Sequence, residues 1–147
     1  MTPRFGQPPL PATRYRRRPG AYAVLLREGR VLLTHQAWPD PEYQLPGGGI
    51  DPGEHPIAAL HREVHEETGW RISAPVFVGN YRRFCFLPDY DYFAEKQCSI
   101  WLARPVARLG PPTEPGHRAV WVGAAEASRL LSDSGSRALL DRALRRG

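Results

Sequence analysis

The stretch Gly48–Trp70 reads GGIDPGEHPIAALHREVHEETGW. Residues 56–68 contain no glycine and one proline, Pro56, at the first turn, where a helix tolerates its missing N–H. Gly69 stands where left-handed backbone ends a helix. The pattern predicts a helix over 56–68. On it Glu63, Glu66 and Glu67 fall at i, i+3 and i+4, within an arc of about 100°. Ile57, Leu60 and Val64 form a separate apolar stripe for the core. Like charges at these spacings repel by roughly 0.2–0.5 kcal/mol per pair. The only nearby cation is Arg62, four residues before Glu66. A hard divalent cation would make the acidic face favourable, and oxygen ligands suit Mg²⁺ or Mn²⁺. Ala59 is expected in the same arc, leaving room for a hydrated ion. Three glycines, Gly47 to Gly49, lead toward the helix and expose backbone polar groups to phosphate or metal. A merely solvated glutamate-rich helix needs no such loop. Together, loop and helix are the arrangement required for metal-assisted attack on a phosphate.

Outward from this stretch, Tyr22–Leu26 and Val31–Thr34 read as two strands around a glycine-containing turn. Residues 37–55 read as loop, rich in proline and glycine. Residues 76–86 and 97–104 are β-branched and aromatic and read as strands, with a loop near Pro88-Asp89. Pro105–Gly116 reads as a connection, Ala119–Val122 as a strand, and Ala124–Leu131 and Ser136–Arg145 as helices. Strands with interspersed helices and no regular βαβ rhythm predict an α/β (α+β) fold, a mixed sheet flanked by helices.

The 147 residues suit one domain, and 41% hydrophobic content excludes general disorder. No apolar run is long enough for a bilayer, so no membrane partner is expected. The net charge of +5 lies wholly in the first 20 residues, where Arg4, Arg14, Arg16, Arg17 and Arg18 meet no acid. The rest balances 15 basic against 15 acidic groups. Residues 1–20 therefore read as an irregular Pro/Arg-rich arm, and 21–147 as one domain. The arm's charge could track phosphates; otherwise it covers a sheet edge or stays loose. Asp51, Glu54, Glu63, Glu66 and Glu67 against Arg62 give residues 51–67 a charge of −4. Cys85 and Cys98 lack metal-site spacing and read as reduced thiols, although a hairpin over 80–103 would allow them to face each other. No apolar core follows the N-terminal arginines, and the prolines oppose an amphipathic leader, so a cytoplasmic location is expected.

The order Gly48, Glu54, Arg62-Glu63-Val64, Glu66-Glu67, Gly69 and Trp70 resembles the Nudix hydrolase box. All nine specified positions over 23 residues are filled. The box covers about a sixth of the chain, and the remaining elements agree in order. Tyr43 departs from the pattern, since many members carry Trp shortly before the Pro-Gly-Gly. The resemblance implies an α/β/α sandwich around a mixed sheet. It also implies metal-assisted hydrolysis of a pyrophosphate in a nucleoside diphosphate linked to another group. Glu63, Glu66 and Glu67 would be metal ligands, with Glu63 or Glu66 also the general base. Arg62 would hold a glutamate, Glu54 would support the loop–helix junction, and the Gly47 carbonyl would complete the metal shell. Members often use a further downstream glutamate; Glu114, seven residues before Trp121, fits best, and Glu95 is the competitor.

Among the dense aromatics from Phe77 to Phe93, packing is the default role, with Tyr90 and Tyr92 the foremost ligand contacts. Arg82 and Arg83 alternate along a strand, so at most one faces a phosphate pocket. His61 and His65 lie off the acidic arc, while His35 and Gln36 end a strand near the pocket. The implied partner is a small nucleotide: a (d)NTP, an ADP-ribose-like sugar nucleotide or a dinucleoside polyphosphate. An RNA 5′ end is the alternative, and a homodimer is admitted. A non-catalytic nucleotide-binding module is disfavoured, because binding alone needs no such cluster of carboxylates.

Overall fold

The computed structural model describes residues 2–38 and 40–146. Strand β1 (Arg16–Arg27) turns into β2 (Arg30–Gln36), followed by the short β3 (Glu42–Gln44) and β4 (Gly47–Gly49). Helix α1 (Pro56–Thr68) precedes two long strands, β5 (Trp70–Leu87) and β6 (Tyr92–Arg108). Then come β7 (His117–Gly123), α2 (Ala124–Leu130) and α3 (Ser134–Arg146). The described strands form one seven-stranded mixed sheet in the order β3-β2-β1-β6-β5, with β4 also on β1 and β7 on β2. β1 and β6 are parallel; the other pairings are antiparallel.

β1 explains the layering. Ala21, Ala23 and Leu25 point to one face and pack with Leu60 and Val64 of α1. Tyr22, Val24 and Leu26 point to the other, joining Leu131 and Leu139, Leu140 and Ala143 of α3. A strand buried on both faces demands a helix layer on each, and an α/β/α sandwich results. The turn from β1 to β2 is the two-residue loop Glu28-Gly29, with φ of 51° and 76°. Positive φ at both positions is what a tight hairpin turn with the strands' own twist requires.

Several boundaries differ from the sequence expectation, mostly at prolines. The irregular arm ends at Tyr15, because β1 begins at Arg16. Pro19 is tolerated there because it lies just beyond the β1–β4 ladder, which begins at Gly20, and needs only its carbonyl to accept the Ile50 N–H at 2.9 Å. Residues 3–5 are also ordered: Arg82 donates to the Pro3 carbonyl at 2.8 Å and Phe5 donates to the Arg82 carbonyl at 3.0 Å. The expected loop 37–55 contains β3 and β4. β5 and β6 outrun their expected limits because register shifts flank Ala74-Pro75 and lie beside the Ile72–Pro105 pair. Such bulges absorb residues that cannot join the ladder. Helix α1 has the expected limits. Its N-cap is His55, whose Nδ1 accepts from the Ile57 N–H at 3.1 Å. Ala59, expected on the acidic arc, is instead fully buried in the core. α3 starts two residues early because Asp133 accepts the Gly135 and Ser136 N–H groups, each at 3.3 Å. Cys98 opposes Tyr81 and Cys85 opposes Ala94, so the two free thiols do not face each other. No described helix is long and apolar enough to cross a membrane.

Gly69 ends α1 with φ of 77°, and a Cβ there would strike the Gly110 carbonyl. Replacement by alanine combines unfavourable backbone with a clash against main chain. Gly69→Ala should lower stability by more than about 1 kcal/mol, read from the urea midpoint; an unchanged midpoint would refute this account of the helix end.

Candidate active site

The site is built where β4 meets α1. Gly48 on β4 lies against the Glu63 carboxylate, and any Cβ at position 48 would occupy the carboxylate's place. This glycine is demanded by close approach. Gly47, with φ of 146°, is pressed against the Ala21 carbonyl in the same way.

One guanidinium organises the acids. Arg62 Nε and Nη2 donate to the two Glu54 carboxylate oxygens, both at 2.8 Å. Nη1 donates to Glu63 at 2.9 Å and reaches Glu66 at 3.3 Å, while Nη2 also donates to the Gly49 carbonyl at 3.1 Å. The bidentate pair with Glu54 fixes loop to helix with strong, directional bonds. Hydrogen bonds from Arg62, and one from the Asp51 N–H, hold the Glu54 carboxyl down to about 2. The Arg62 guanidinium is raised above its ordinary value, chiefly by Glu54.

Glu63, Glu66 and Glu114 come together: one carboxylate oxygen from each lies within 4.8 Å of the others. Glu114 is far away in sequence and is delivered by the end of the helix. The Glu66 carbonyl belongs to the last turn, where carbonyls lack helical partners. It accepts the Thr113 and Glu114 N–H groups at 2.8 and 3.0 Å. Glu95 is elsewhere, 3.8 Å from Arg82. Glu67 lies outside the cluster and is buried. Its carboxylate accepts the Gly47 N–H at 3.1 Å and lies 3.4 Å from His117 Nε2. Burial pushes Glu67 up to about 8 against the pull of the Gly47 N–H, and burial also raises Glu63. Three converging carboxylates from a helix and a loop are hard oxygen donors at a spacing that fits a divalent cation. Among the described residues Arg62 is the cation paired with Glu63 and Glu66.

Beside the cluster opens a cavity of about 470 Å³. Gly47, Gly48, Gly49 and Glu67 line one wall, and Gln36, Glu42 and Tyr43 another. Arg83, but not Arg82, lines it, together with Tyr90. The Arg18 guanidinium sits 4.2 Å from the Tyr90 ring centroid and donates to the Tyr92 hydroxyl at 2.8 Å. His35 packs on Tyr43, with ring centroids 4.7 Å apart. His65 is exposed, and neither it nor His61 joins the acidic cluster. Sequence reasoning missed His117 and Lys96, and treated Arg18 as part of a loose arm. Only strand register places these three at the cavity; no local motif marks them.

A NUDIX domain matches residues 16–143, and the chain belongs to that family. The solved NUDIX hydrolase of Nitrosomonas europaea superposes with a TM-score of 0.72 at 20% identity, covering 88% of this chain and 90% of its own. The MutT NUDIX hydrolase of Burkholderia pseudomallei gives 0.70 at 21% identity, over 86% and 98%. At these identities the likeness concerns the fold. A Bacillus subtilis protein named as a candidate 8-oxo-dGTP diphosphatase is 35% identical over 74 residues, half of each chain. The RNA pyrophosphohydrolase of Mesorhizobium japonicum is 46% identical over 56 residues, 33% of this chain and 32% of its own. The chain thus spans half or less of the length of these curated relatives.

Removing Arg62 leaves Glu54 and Glu63 without their strongest partner. Arg62→Ala should cost about 1–3 kcal/mol, seen as a lower urea midpoint. A midpoint equal to wild type would show that Arg62 does not bind loop to helix. The depressed Glu54 carboxyl also sets a pH dependence. Its folded value is below its unfolded value, so its stabilisation is present above the ordinary carboxylate range and fades as pH falls toward about 2. Glu54→Gln should therefore lessen the loss of stability between about pH 5 and about pH 3; an unaltered slope would contradict the assignment.

Proposed function

We propose that the protein is a Mg²⁺- or Mn²⁺-dependent pyrophosphohydrolase acting on a nucleoside diphosphate linked to another moiety. The observation that carries this reading is the convergence of Glu63, Glu66 and Glu114 within 4.8 Å beside a nucleotide-sized cavity. Family membership and relatives named diphosphatase and pyrophosphohydrolase support it.

In this reading Glu63, Glu66 and Glu114 hold the cation, with Glu67 and the Gly47 carbonyl as the adjoining ligands on the cavity side. A bound divalent ion supplies charge neutralisation at the phosphate oxygens and acidifies water. Glu63 or Glu66 accepts the proton of the attacking water. Arg62 fixes the angle of both carboxylates through Nη1. The substrate lies across the glycine strand, its pyrophosphate at the acids and the remainder in the cavity.

An RNA 5′ end is the second reading. It is favoured by Arg18 at the cavity mouth, stacked on an exposed Tyr90. Exposed rings with adjacent arginines serve single-stranded nucleic acid.

Glu66→Gln should cut turnover by orders of magnitude with little change in melting temperature, because this side chain is partly exposed. EDTA should abolish hydrolysis and excess Mg²⁺ restore it. The assay is product identification over (d)NTPs, sugar nucleotides, dinucleoside polyphosphates and 5′-triphosphorylated RNA. Turnover that persists in EDTA, or an active Glu66→Gln enzyme, would sink the proposal.

A further inference from the structure

Three neighbouring strands set their cations in one row. Arg18 on β1 is the register partner of Lys96 on β6, and Lys96 is the register partner of Arg83 on β5. Residues directly opposite share a sheet face, and all three line the cavity. Like charges in this relation destabilise a sheet. The row therefore works against folding unless negative charge offsets it.

Among the described residues no carboxylate lies within ion-pair distance of Lys96, the centre of the row. Glu42 and Asp133 approach Arg83, at 4.0 and 3.9 Å. Glu67 faces the cavity from α1 but is engaged by Gly47 and His117. Asp40 and Asp89 also line the cavity, yet among the described residues neither pairs with Arg18 or Lys96. Arg18 is held by the Tyr90 ring and the Tyr92 hydroxyl. Lys96 is half-buried, with its ammonium 5.6 Å from the Tyr22 ring centroid. Of the 20 Lys and Arg residues, it is the one lysine. A lysine ammonium is a compact point charge with three donors, well suited to phosphate oxygen.

The row also has a defined place relative to the acids. Its Arg18 end lies next to Gly49, and the neighbouring Gly48 abuts Glu63. A pyrophosphate at the acidic cluster therefore leaves the row free for another group on the cavity side. A neutral base or sugar gains nothing by desolvating these cations, whereas an anionic group offsets their repulsion.

We propose that the Arg18–Lys96–Arg83 row binds a substrate phosphate other than the pyrophosphate being cleaved, and so selects substrates that carry one. This inference rests on the pyrophosphohydrolase reading of the same site. The extra phosphate is either the first phosphodiester of a 5′-phosphorylated polynucleotide or part of the bridge of a dinucleoside polyphosphate.

The test is calorimetric binding in EDTA, where turnover plays no part. ADP and ADP-ribose carry a single pyrophosphate. The 5′-diphosphorylated dinucleotide ppApA and diadenosine tetraphosphate carry more phosphate. Wild-type protein should bind at least one of the latter about tenfold or more tighter than ADP and ADP-ribose, and the probe with the larger margin identifies the source. Lys96→Gln should bring that ratio close to one, and Lys96→Arg should keep it. Lys96→Gln should melt at or above the wild-type temperature, since one of three like charges is gone. Equal wild-type affinity for all four probes overturns the proposal, as does a margin that survives Lys96→Gln. A marked fall in melting temperature also overturns it, because Lys96 would then be compensated within the fold. A protein that hydrolyses no nucleotide yet shows the Lys96-dependent margin loses the pyrophosphohydrolase reading and keeps the anion row. Hydrolysis without the margin does the reverse.

Discussion

Arg62 is the constraint on which the site depends. Five carboxylates crowd residues 51–67, and one guanidinium meets four of them: Asp51, Glu54, Glu63 and Glu66. Its planar fork takes both Glu54 oxygens while the remaining nitrogen turns to the helix. A lysine at this position would offer one compact charge and no fork. The same guanidinium ties Gly49 to α1, so the glycine strand, the loop and the acidic face share one set of bonds. Gly48 then completes the fit by leaving Glu63 the space a side chain would fill.

Around this piece the molecule keeps its charges on opposite sides of a thin partition. The glycines of β4 separate Glu63, Glu66 and Glu114 from a cavity wall carrying Arg18, Lys96 and Arg83. Arg62 meets Glu63 and Glu66 on the acidic side, and Glu42 and Asp133 approach Arg83 on the other. This opposition is a form of preorganisation: the folded chain has already met the cost of assembling like charges.

The helix and its acids were legible because their signals are local. Pro56, Gly69 and the spacing of Glu63 and Glu66 depend only on near neighbours, and the helix limits agree with the sequence reading. The sandwich was legible in outline from element order and from the Nudix box. Strand limits were less so. Pro19, Pro75 and Pro105 look like breaks, yet each is absorbed at a ladder end or a bulge. Glu114 was named from the family resemblance, but the backbone bonds to Glu66 that bring it to the acids are encoded by no spacing rule. Lys96 and His117 were invisible because their meaning lies in which strands are neighbours. Arg18 looked like one of several loose cations until β1 was seen to begin at Arg16.

The docking of residues 3–5 bears on how the protein behaves in company. β5 ends the sheet order, and a long terminal strand offers unpaired N–H and C=O groups to any passing chain. Pro3 and Phe5 occupy the backbone groups of Arg82 on that border, and Phe5 packs edge-on against Tyr81. A proline-rich segment is a poor template for a further strand, since each proline withholds a donor. The chain thus closes part of its own sheet with a segment that cannot propagate it. Solubility at high concentration is then partly a property of the first few residues, which dock on β5 one position away from Arg83 of the cavity wall.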